Sequence, residues 1–193
     1  MSVIRTGAIV VRPLHGAASA EVPLKLSDAE REVTRLFDES RTSIARYVLS
    51  FGLSVEDGEE ITQEVFLALF QHLRMGKSRQ NLRGWVFSVA HNLALKRRHM
   101  NQRSRDNGHP YRPVAEDRFD PCPNPEEQVL STQRQIRLQA VLAALPEQDQ
   151  CCLRLRAEGL RYREIRRVLG ISLGAVSLSL TRSLKRLRFA DCE

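Results

Sequence analysis

The sequence lacks the long apolar runs and the cysteine patterns that mark membrane, secreted and zinc-binding proteins. No stretch approaches the roughly 18 uninterrupted apolar residues of a membrane-spanning helix, and the apolar run at 7–11 is too short for the core of a signal peptide. The four cysteines contain no C-x-x-C pair, so neither a zinc site nor a disulfide framework is predicted. We expect an intracellular protein with reduced thiols, no metal and no cofactor.

Motifs of the common enzyme classes are also missing. There is no Gly-rich phosphate loop, no H-E-x-x-H and no G-x-S-x-G. Glu59, Glu60 and Glu64 fall on one predicted helix, but they belong to an acidic face that we expect to be solvated. We therefore predict no catalytic residues and a protein that acts by binding.

The charges are separated along the chain, whose formal net charge is +7 over 193 residues. Residues 28–64 contain ten acidic residues and four arginines, whereas residues 74–105 contain nine Lys or Arg and no acidic residue. Two kinds of partner would explain this pattern, a polyanion on the basic segments and a different partner on the acidic face. Helix faces that are simply solvated are the alternative.

Apolar residues spaced by three and four positions predict helices throughout, and no segment alternates as a strand would. Ser27 and Glu30 have the pattern of a capping box, Ser54 is placed to cap a second helix, and Asn81 is placed to cap a third that ends in the basic run 96–98. Pro125 suits the first turn of a helix because its missing N–H costs nothing there. Apart from the third helix, the predicted helices cover 28–51, 55–75, 125–144, 146–158, 162–169 and 173–189.

This pattern predicts an all-α protein of two small helical domains. The first domain covers 27–105 and the second 125–193. Between them, residues 106–124 are rich in Pro, Asn and Asp, which is typical of a flexible, extended linker. Residues 1–26 have no sustained periodicity, so we expect a flexible N-terminal arm there.

Residues 162–188 have the spacing of a helix-turn-helix. Gly170 can supply the positive φ that ends a short helix, and Ser172 can cap the longer helix that follows. The start of that second helix would face the base edges of a major groove. Its residues there offer few hydrogen-bond donors, so we expect phosphate contacts to position the protein. Specificity is then either low or carried by hydroxyls, backbone amides and DNA shape. An ordinary pair of packed helices is the alternative.

Residues 76–98 combine positive charge, aromatic residues and an amide, which are the ingredients of single-stranded DNA binding. Trp85 and Phe87 lie two positions apart on a helix and cannot both face the core. We expect Trp85 to anchor the core and Phe87 to be the more exposed. His91 is expected to be a surface or capping histidine rather than a metal ligand, because no second ligand is suitably spaced. Asn92 is a candidate for reading a base edge.

Two groups of residues resemble regions 2 and 4 of the extracytoplasmic-function (ECF) class of sigma-70 family sigma factors. The residues that carry the resemblance to region 2 are 60–67, 82–87 and 90–94. Those that carry the resemblance to region 4 are 145–147, 158–160, 162–165 and 169–172. Both regions occur in the family's order, with no domain between them.

The resemblance implies a cytoplasmic protein that acts at the nucleoid and has no membrane partner. It implies that region 2 binds RNA polymerase core through a coiled coil of the largest subunit, melts the −10 element and captures a flipped base from the single strand. Region 4 would bind the −35 element as duplex DNA. The polymerase flap and an anti-sigma factor are further implied partners.

The resemblance also assigns residues to each contact. The implied polymerase contacts are Glu60, Gln63 and Glu64. The implied −10 contacts are Lys77, Ser78, Arg79, Asn81, Trp85, Asn92, Lys96, Arg97 and Arg98. The implied −35 contacts are Ser172, Leu173, Gly174, Ala175, Ser177, Leu178, Ser179, Arg182, Lys185 and Arg186.

The sequence departs from the family where DNA should be read. Family members usually carry Thr, Lys and Arg at Ala175, Ser177 and Ser179, Ala at Arg166, and Asp at Lys96. These departures predict weak or unusual −35 recognition. Two other functions stay open: a stand-alone helix-turn-helix regulator, and an adaptor whose altered helix holds a protein partner.

Overall fold

The computed structural model describes residues 27–106 and 125–191, and within these ranges it contains seven α-helices and no strand. The all-α prediction is confirmed. The expected N-terminal arm and most of the expected linker lie outside the described residues. None of the described helices combines the length and apolar character needed to cross a membrane. The helices are α1 (Asp28–Leu49), α2 (Val55–Arg74), α3 (Leu82–Asp106), α4 (Pro125–Ala143), α5 (Glu147–Ala157), α6 (Tyr162–Leu169) and α7 (Leu173–Asp191).

Capping residues set most of the predicted helix ends. At the start of α1 the Ser27 N–H donates to Glu30 Oε2 at 2.6 Å, and the Glu30 N–H donates to Ser27 Oγ at 3.3 Å. Ser54 Oγ accepts the Asp57 N–H at 3.1 Å in α2. Gly170 ends α6 in the left-handed conformation, with φ 66°. These ends agree with the sequence prediction.

Helix α3 is the exception, and it differs from the prediction at both ends. Asn81 does not adopt the extended conformation of an ordinary N-cap, because its φ is 54°. The helix also continues past the basic run at 96–98 to Asp106. Lys and Arg are good helix formers, and the first helix breaker after them is Gly108.

Helices α1 to α3 form an N-terminal bundle around aromatic and aliphatic side chains. Phe87 is 0% exposed and lies 5.8 Å from the Tyr47 ring, between centroids. The expected roles of the two aromatic residues were therefore wrong. Phe87 shares its helix face with the fully buried Ala90 and Ala94, at i+3 and i+7, whereas Trp85 is half-buried against His72.

Helices α4 to α7 form a C-terminal bundle that contains the helix-turn-helix α6–α7. Asp149 of α5 is buried and receives two hydrogen bonds from the Arg182 guanidinium of α7, at 2.8 and 2.9 Å. These bonds lower the pKa of Asp149. The pair fixes the long helix α7 across α5.

The two bundles pack against each other, which the sequence analysis did not anticipate. Helix α3 lies against α6, and buried apolar side chains of both bundles form one continuous core. Polar contacts flank this core: Arg46 Nε lies 3.1 Å from Glu158 Oε1, and Arg98 pairs with Glu147. The described residues therefore form one closed unit.

We expect Phe87→Ala to destabilise the protein far more than Trp85→Ala. Removing the fully buried ring should lower the free energy of unfolding by about 3–5 kcal/mol. Trp85 keeps part of its ring exposed at the bundle surface, so its loss should cost less. Urea unfolding of the full chain, followed by circular dichroism, measures both. A larger loss for Trp85→Ala would contradict the assigned core.

Candidate nucleic-acid and protein interfaces

The loop between α2 and α3 exposes two cations on an ordered backbone. The His72 Nε2–H donates to the Ser78 carbonyl oxygen at 2.9 Å, and Ser78 Oγ accepts the Gln80 N–H at 3.2 Å. Lys77 and Arg79 are exposed on either side of Ser78. This geometry suits contacts with the phosphates of a nucleic-acid strand.

Asn81 closes the loop in a conformation that depends on Gly84. A Cβ on Gly84 would lie 2.4 Å from the amide end of the Asn81 side chain. With the amide oriented to satisfy both of its polar atoms, the Asn81 nitrogen donates to Glu164 Oε1 at 2.7 Å and its oxygen accepts from Arg167 Nη1 at 3.2 Å. Gly84 thus positions Asn81, a role that the sequence analysis missed.

The outer side of α3 places Asn92 and Lys96 one helical turn apart, and both are exposed. Trp85 is only half-buried, with its ring centroid 4.6 Å from that of His72, so part of its surface remains available for stacking. His91 is not a surface residue, contrary to the expectation. Its Nδ1 lies 2.9 Å from the Tyr47 hydroxyl, and burial lowers its pKa.

Arg97 holds α3 against the acidic helix α2. Its Nη1 contacts both Asp57 and Glu60, the latter at 2.9 Å, and the same contact lowers the pKa of Glu60. Asn101 adds a hydrogen bond to Asp57 at 2.9 Å. Arg97 is therefore engaged within the bundle, although it was predicted to contact DNA.

The acidic face predicted to bind protein is largely free at Gln63 and Glu64, which are both exposed. Gln63 also lines a groove between α1 and α2 of about 540 Å³. Phe37 and Thr62 contribute to the same groove. An apolar floor beside polar side chains suits a helix of a protein partner.

Two of the predicted −35 contacts serve the interior of the C-terminal bundle instead. Ser179 is 2% exposed, and its Oγ accepts a hydrogen bond from Gln148 Nε2 at 3.4 Å. It shares the inner face of α7 with Val176 and Ser183, whereas Arg182 is engaged by Asp149. In this conformation neither Ser179 nor the paired face of Arg182 is available to DNA.

The start of α7 remains accessible. Ser172 Oγ accepts the Ala175 N–H at 3.1 Å and caps the helix. The exposed residues of the predicted −35 face are Ser172, Leu173, Gly174, Ser177, Leu178, Arg182, Lys185 and Arg186, with Ala175 half-buried. Leu178 is 63% exposed. This surface is largely apolar at its tip and cationic further along.

No group of His, Cys, Asp and Glu within 27–106 and 125–191 is arranged to hold a metal ion. Cys151 and Cys152 are free and buried, and burial raises the pKa of both thiols.

Models of two sigma-factor regions match the two halves of the chain. The profile of Sigma-70 region 2 matches residues 36–104, and that of Sigma-70 region 4 matches residues 135–187. ECF RNA polymerase sigma factor ShbA of Streptomyces griseus is 30% identical over 192 residues, which cover 94% of this chain and 93% of that protein. The chain belongs to the ECF RNA polymerase sigma factors.

Other relatives of this ECF sigma factor are longer. SigE of Mycolicibacterium smegmatis is 32% identical over 148 residues, 74% of this chain and 55% of that protein. RfaY of Xanthomonas campestris, a probable RNA polymerase sigma factor, is 25% identical over 177 residues, 87% of this chain and 42% of that protein. The chain therefore spans about half the length of these two relatives.

Solved structures share the fold. The sigma factor RpoE in complex with the anti-sigma factor NepR from Bartonella quintana superposes with a TM-score of 0.59 at 14% identity, covering 83% of this chain and 96% of that one. CnrH in complex with the cytosolic domain of CnrY gives a TM-score of 0.54 at 21% identity, covering 82% and 86%.

Two glycine substitutions in this ECF sigma factor should have opposite effects on stability. Gly→Ala within a helix ordinarily stabilises by up to about 1 kcal/mol. Gly174→Ala should follow that rule because the nearest atom to its new Cβ is 3.9 Å away. Gly84→Ala should instead destabilise by about 1–3 kcal/mol, because it displaces the Asn81 side chain. Urea unfolding measures the difference, and stabilisation by both variants would contradict the positioning role of Gly84.

Proposed function

We propose that this protein is a sigma subunit that binds bacterial RNA polymerase core and directs it to promoters. The observation that carries the proposal is that one bundle has two opposite kinds of surface. Gln63 and Glu64 are exposed on the acidic helix α2, and Lys77, Arg79 and Lys96 are exposed on the basic loop and α3. Family membership makes polymerase and promoter DNA the two partners.

The roles divide along the chain. Residues 27–105 act as region 2, residues 106–124 as a linker, and residues 125–193 as region 4. Region 2 binds a coiled coil of the largest polymerase subunit and the melted −10 strand, while region 4 binds the −35 duplex and the polymerase flap. The protein acts in the cytoplasm, at the nucleoid, and by binding energy alone.

Strand separation follows from the chemistry of the basic surface. Extruding a base costs a few kcal/mol, which pocket and stacking contacts offset. Lys77 and Arg79 supply charge for the backbone, the half-buried Trp85 supplies a ring surface, and Asn92 presents an exposed amide for a base edge. These groups recognise a single strand better than a duplex, whose bases are stacked.

Recognition of −35 DNA rests on fewer polar groups than the resemblance to the family implies. With Ser179 buried and Arg182 paired, the outer face of α7 offers Ser172 and Ser177 near bases and Lys185 and Arg186 for phosphates. Phosphate contacts position the protein without reading sequence. We expect shape-led and weakly sequence-specific −35 binding.

A protein partner for region 4 is a second role that one observation favours. Leu178 and Phe189 are 63% and 66% exposed on α7, and apolar side chains at a helix surface suit protein contacts. RpoE and CnrH are seen with protein partners, NepR and CnrY respectively. An anti-sigma factor is the partner that fits this pattern.

Run-off transcription tests the proposed function. Purified core polymerase with this protein, on a library of random upstream sequences, should give transcripts that start downstream of a shared sequence. A stand-alone regulator or an adaptor would give no transcripts above those of core alone. That outcome would refute the proposal.

Charge reversal on α2 should weaken polymerase binding. We expect Glu64→Lys to lower the affinity for core about tenfold or more, because a like charge replaces a complementary one, and Gln63→Lys to lower it as well, because it adds a like charge to a neutral position. Glu56→Lys is the matched control, since it makes the same change at another exposed site of α2. Fluorescence anisotropy of the labelled full chain measures affinity. Equal losses at Glu56 and Glu64 would contradict the assignment.

Removing the exposed amide of α3 should impair strand opening more than DNA binding. We expect Asn92→Ala in the holoenzyme to reduce the yield of permanganate-reactive open complexes about tenfold or more, through one lost base contact. Retention of closed duplex should change little. Gln71→Ala, which removes an exposed amide from α2, is the control. Equal loss of both readouts in Asn92→Ala would refute its role as a base contact.

A further inference from the structure

The start of α7 presents an apolar tip, formed by Leu173, Gly174 and Leu178, within a strongly basic surface. Leu173 is 45% exposed and Leu178 is 63% exposed. Residues 161–190 around them contain eight Lys or Arg and one acidic residue, Glu164. The Glu164 carboxylate accepts the Arg161 N–H at 2.7 Å, so it is engaged at the start of α6. The charge around the apolar tip is therefore complementary to a polyanion.

The geometry of the apolar tip lets the helix approach a groove closely. Gly174 and Leu178 lie one helical turn apart, and both are exposed. Gly174 has no side chain to hold the backbone away from a ligand. A long side chain on a helix leans towards the start of that helix, so Leu178 covers the turn that contains Gly174. Leu178 is thus the apolar side chain that meets whatever lies against this turn.

The polar side chains near the apolar tip are mostly engaged within the protein. Ser172 Oγ caps α7, Ser179 is buried, and Arg182 is bound by Asp149. Readout of a base by paired hydrogen bonds usually needs Arg, Lys, Asn or Gln. Ser177 is exposed beside Leu178 and offers one hydroxyl. Hydrogen bonds alone therefore give this helix little means to tell one base pair from another.

We propose that Leu178 selects thymine in the major groove by contact with its C5 methyl group. The other groups on the base-pair edges of that groove are mainly hydrogen-bond donors and acceptors. An apolar side chain that covers a donor or acceptor displaces water without replacing its hydrogen bond, which costs free energy. Against a thymine methyl group, the same side chain buries apolar surface on both partners. The inference rests on the proposed function and names the base feature that region 4 selects in its duplex.

Cations on both sides of the apolar tip are placed to hold it in the groove. Arg163 and Arg166 are exposed on α6, and Lys185 and Arg186 are exposed further along α7. In a helix-turn-helix the first helix crosses the DNA backbone while the second lies in the major groove. Phosphate contacts from these cations fix the register without selecting a sequence. Leu178 then adds a preference of about two- to fivefold for each methyl group that it buries.

The test replaces thymine by deoxyuridine, which lacks only the C5 methyl group. Promoters recovered by run-off transcription from the random upstream library are resynthesised with deoxyuridine at the thymines of their upstream element. Competition binding then gives the ratio of affinities of the holoenzyme for the two forms. The variants are Leu178→Ala and the matched control Leu184→Ala, which truncates another exposed leucine about 9 Å further along α7. Alanine favours helix at both positions, so both variants should fold.

The wild type and Leu184→Ala should bind the thymine form about two- to fivefold more tightly per contacted methyl group. Leu178→Ala should bind both forms equally, and Leu178→Met, which keeps a flexible apolar side chain, should retain the preference. Equal binding of both forms by the wild type, as expected if Leu178 serves only a protein partner, would overturn the inference. An upstream element without thymine, or a preference that survives in Leu178→Ala, would overturn it too.

Run-off transcription by the wild type separates this inference from the proposed function. Transcripts that start downstream of a shared sequence, together with equal affinities for the thymine and deoxyuridine forms, would leave the proposed function standing and sink only the role of Leu178. A failure to produce any transcripts above those of core alone would sink both.

Discussion

The fold depends on one constraint: helix α3 has to serve two bundles at once. Phe87, Ala90 and Ala94 bury one face of it in the N-terminal core, and Arg97 ties another edge to Asp57 and Glu60 of α2. Its start lies against α6, and Arg83 reaches the Glu158 carbonyl at the end of α5. A rotation or a one-turn shift of α3 would break all of these contacts together, so the helix fixes the geometry of both surfaces.

This sharing explains why the cations of α3 and of the loop before it have different roles. Those that face a neighbouring helix, such as Arg97 and Arg98, are neutralised internally, whereas Lys77, Arg79 and Lys96 remain exposed to solvent. Internal pairing holds helices in register, and exposed charge attracts a polyanion at long range. A net positive segment is therefore a structural frame as well as the proposed binding surface.

Much of the fold was predictable because its signals are local. The Ser27–Glu30 capping box, the Ser54 cap and the turn at Gly170 set helix ends within a few residues of chain. The predictions that were wrong concern contacts between residues that are distant in the sequence. Phe87 is buried instead of Trp85 because of the orientation in which α3 packs against Tyr47. Ser179 is buried because α7 packs against α5. The role of Gly84 and the closure of the bundles arise only once α3 meets Asn81 and α6 in space.

The central claim, that α3 fixes both bundles at once, is tested most directly by hydrogen exchange. Peptides covering α6 and the first turns of α3 should exchange slowly in the full-length chain. Arg83→Ala, which removes the contact between α3 and the Glu158 carbonyl, should speed exchange in α6 while leaving α2 unchanged. If α6 exchanges at the same rate in the variant and in the wild type, the start of α3 does not hold the C-terminal bundle and the account is contradicted.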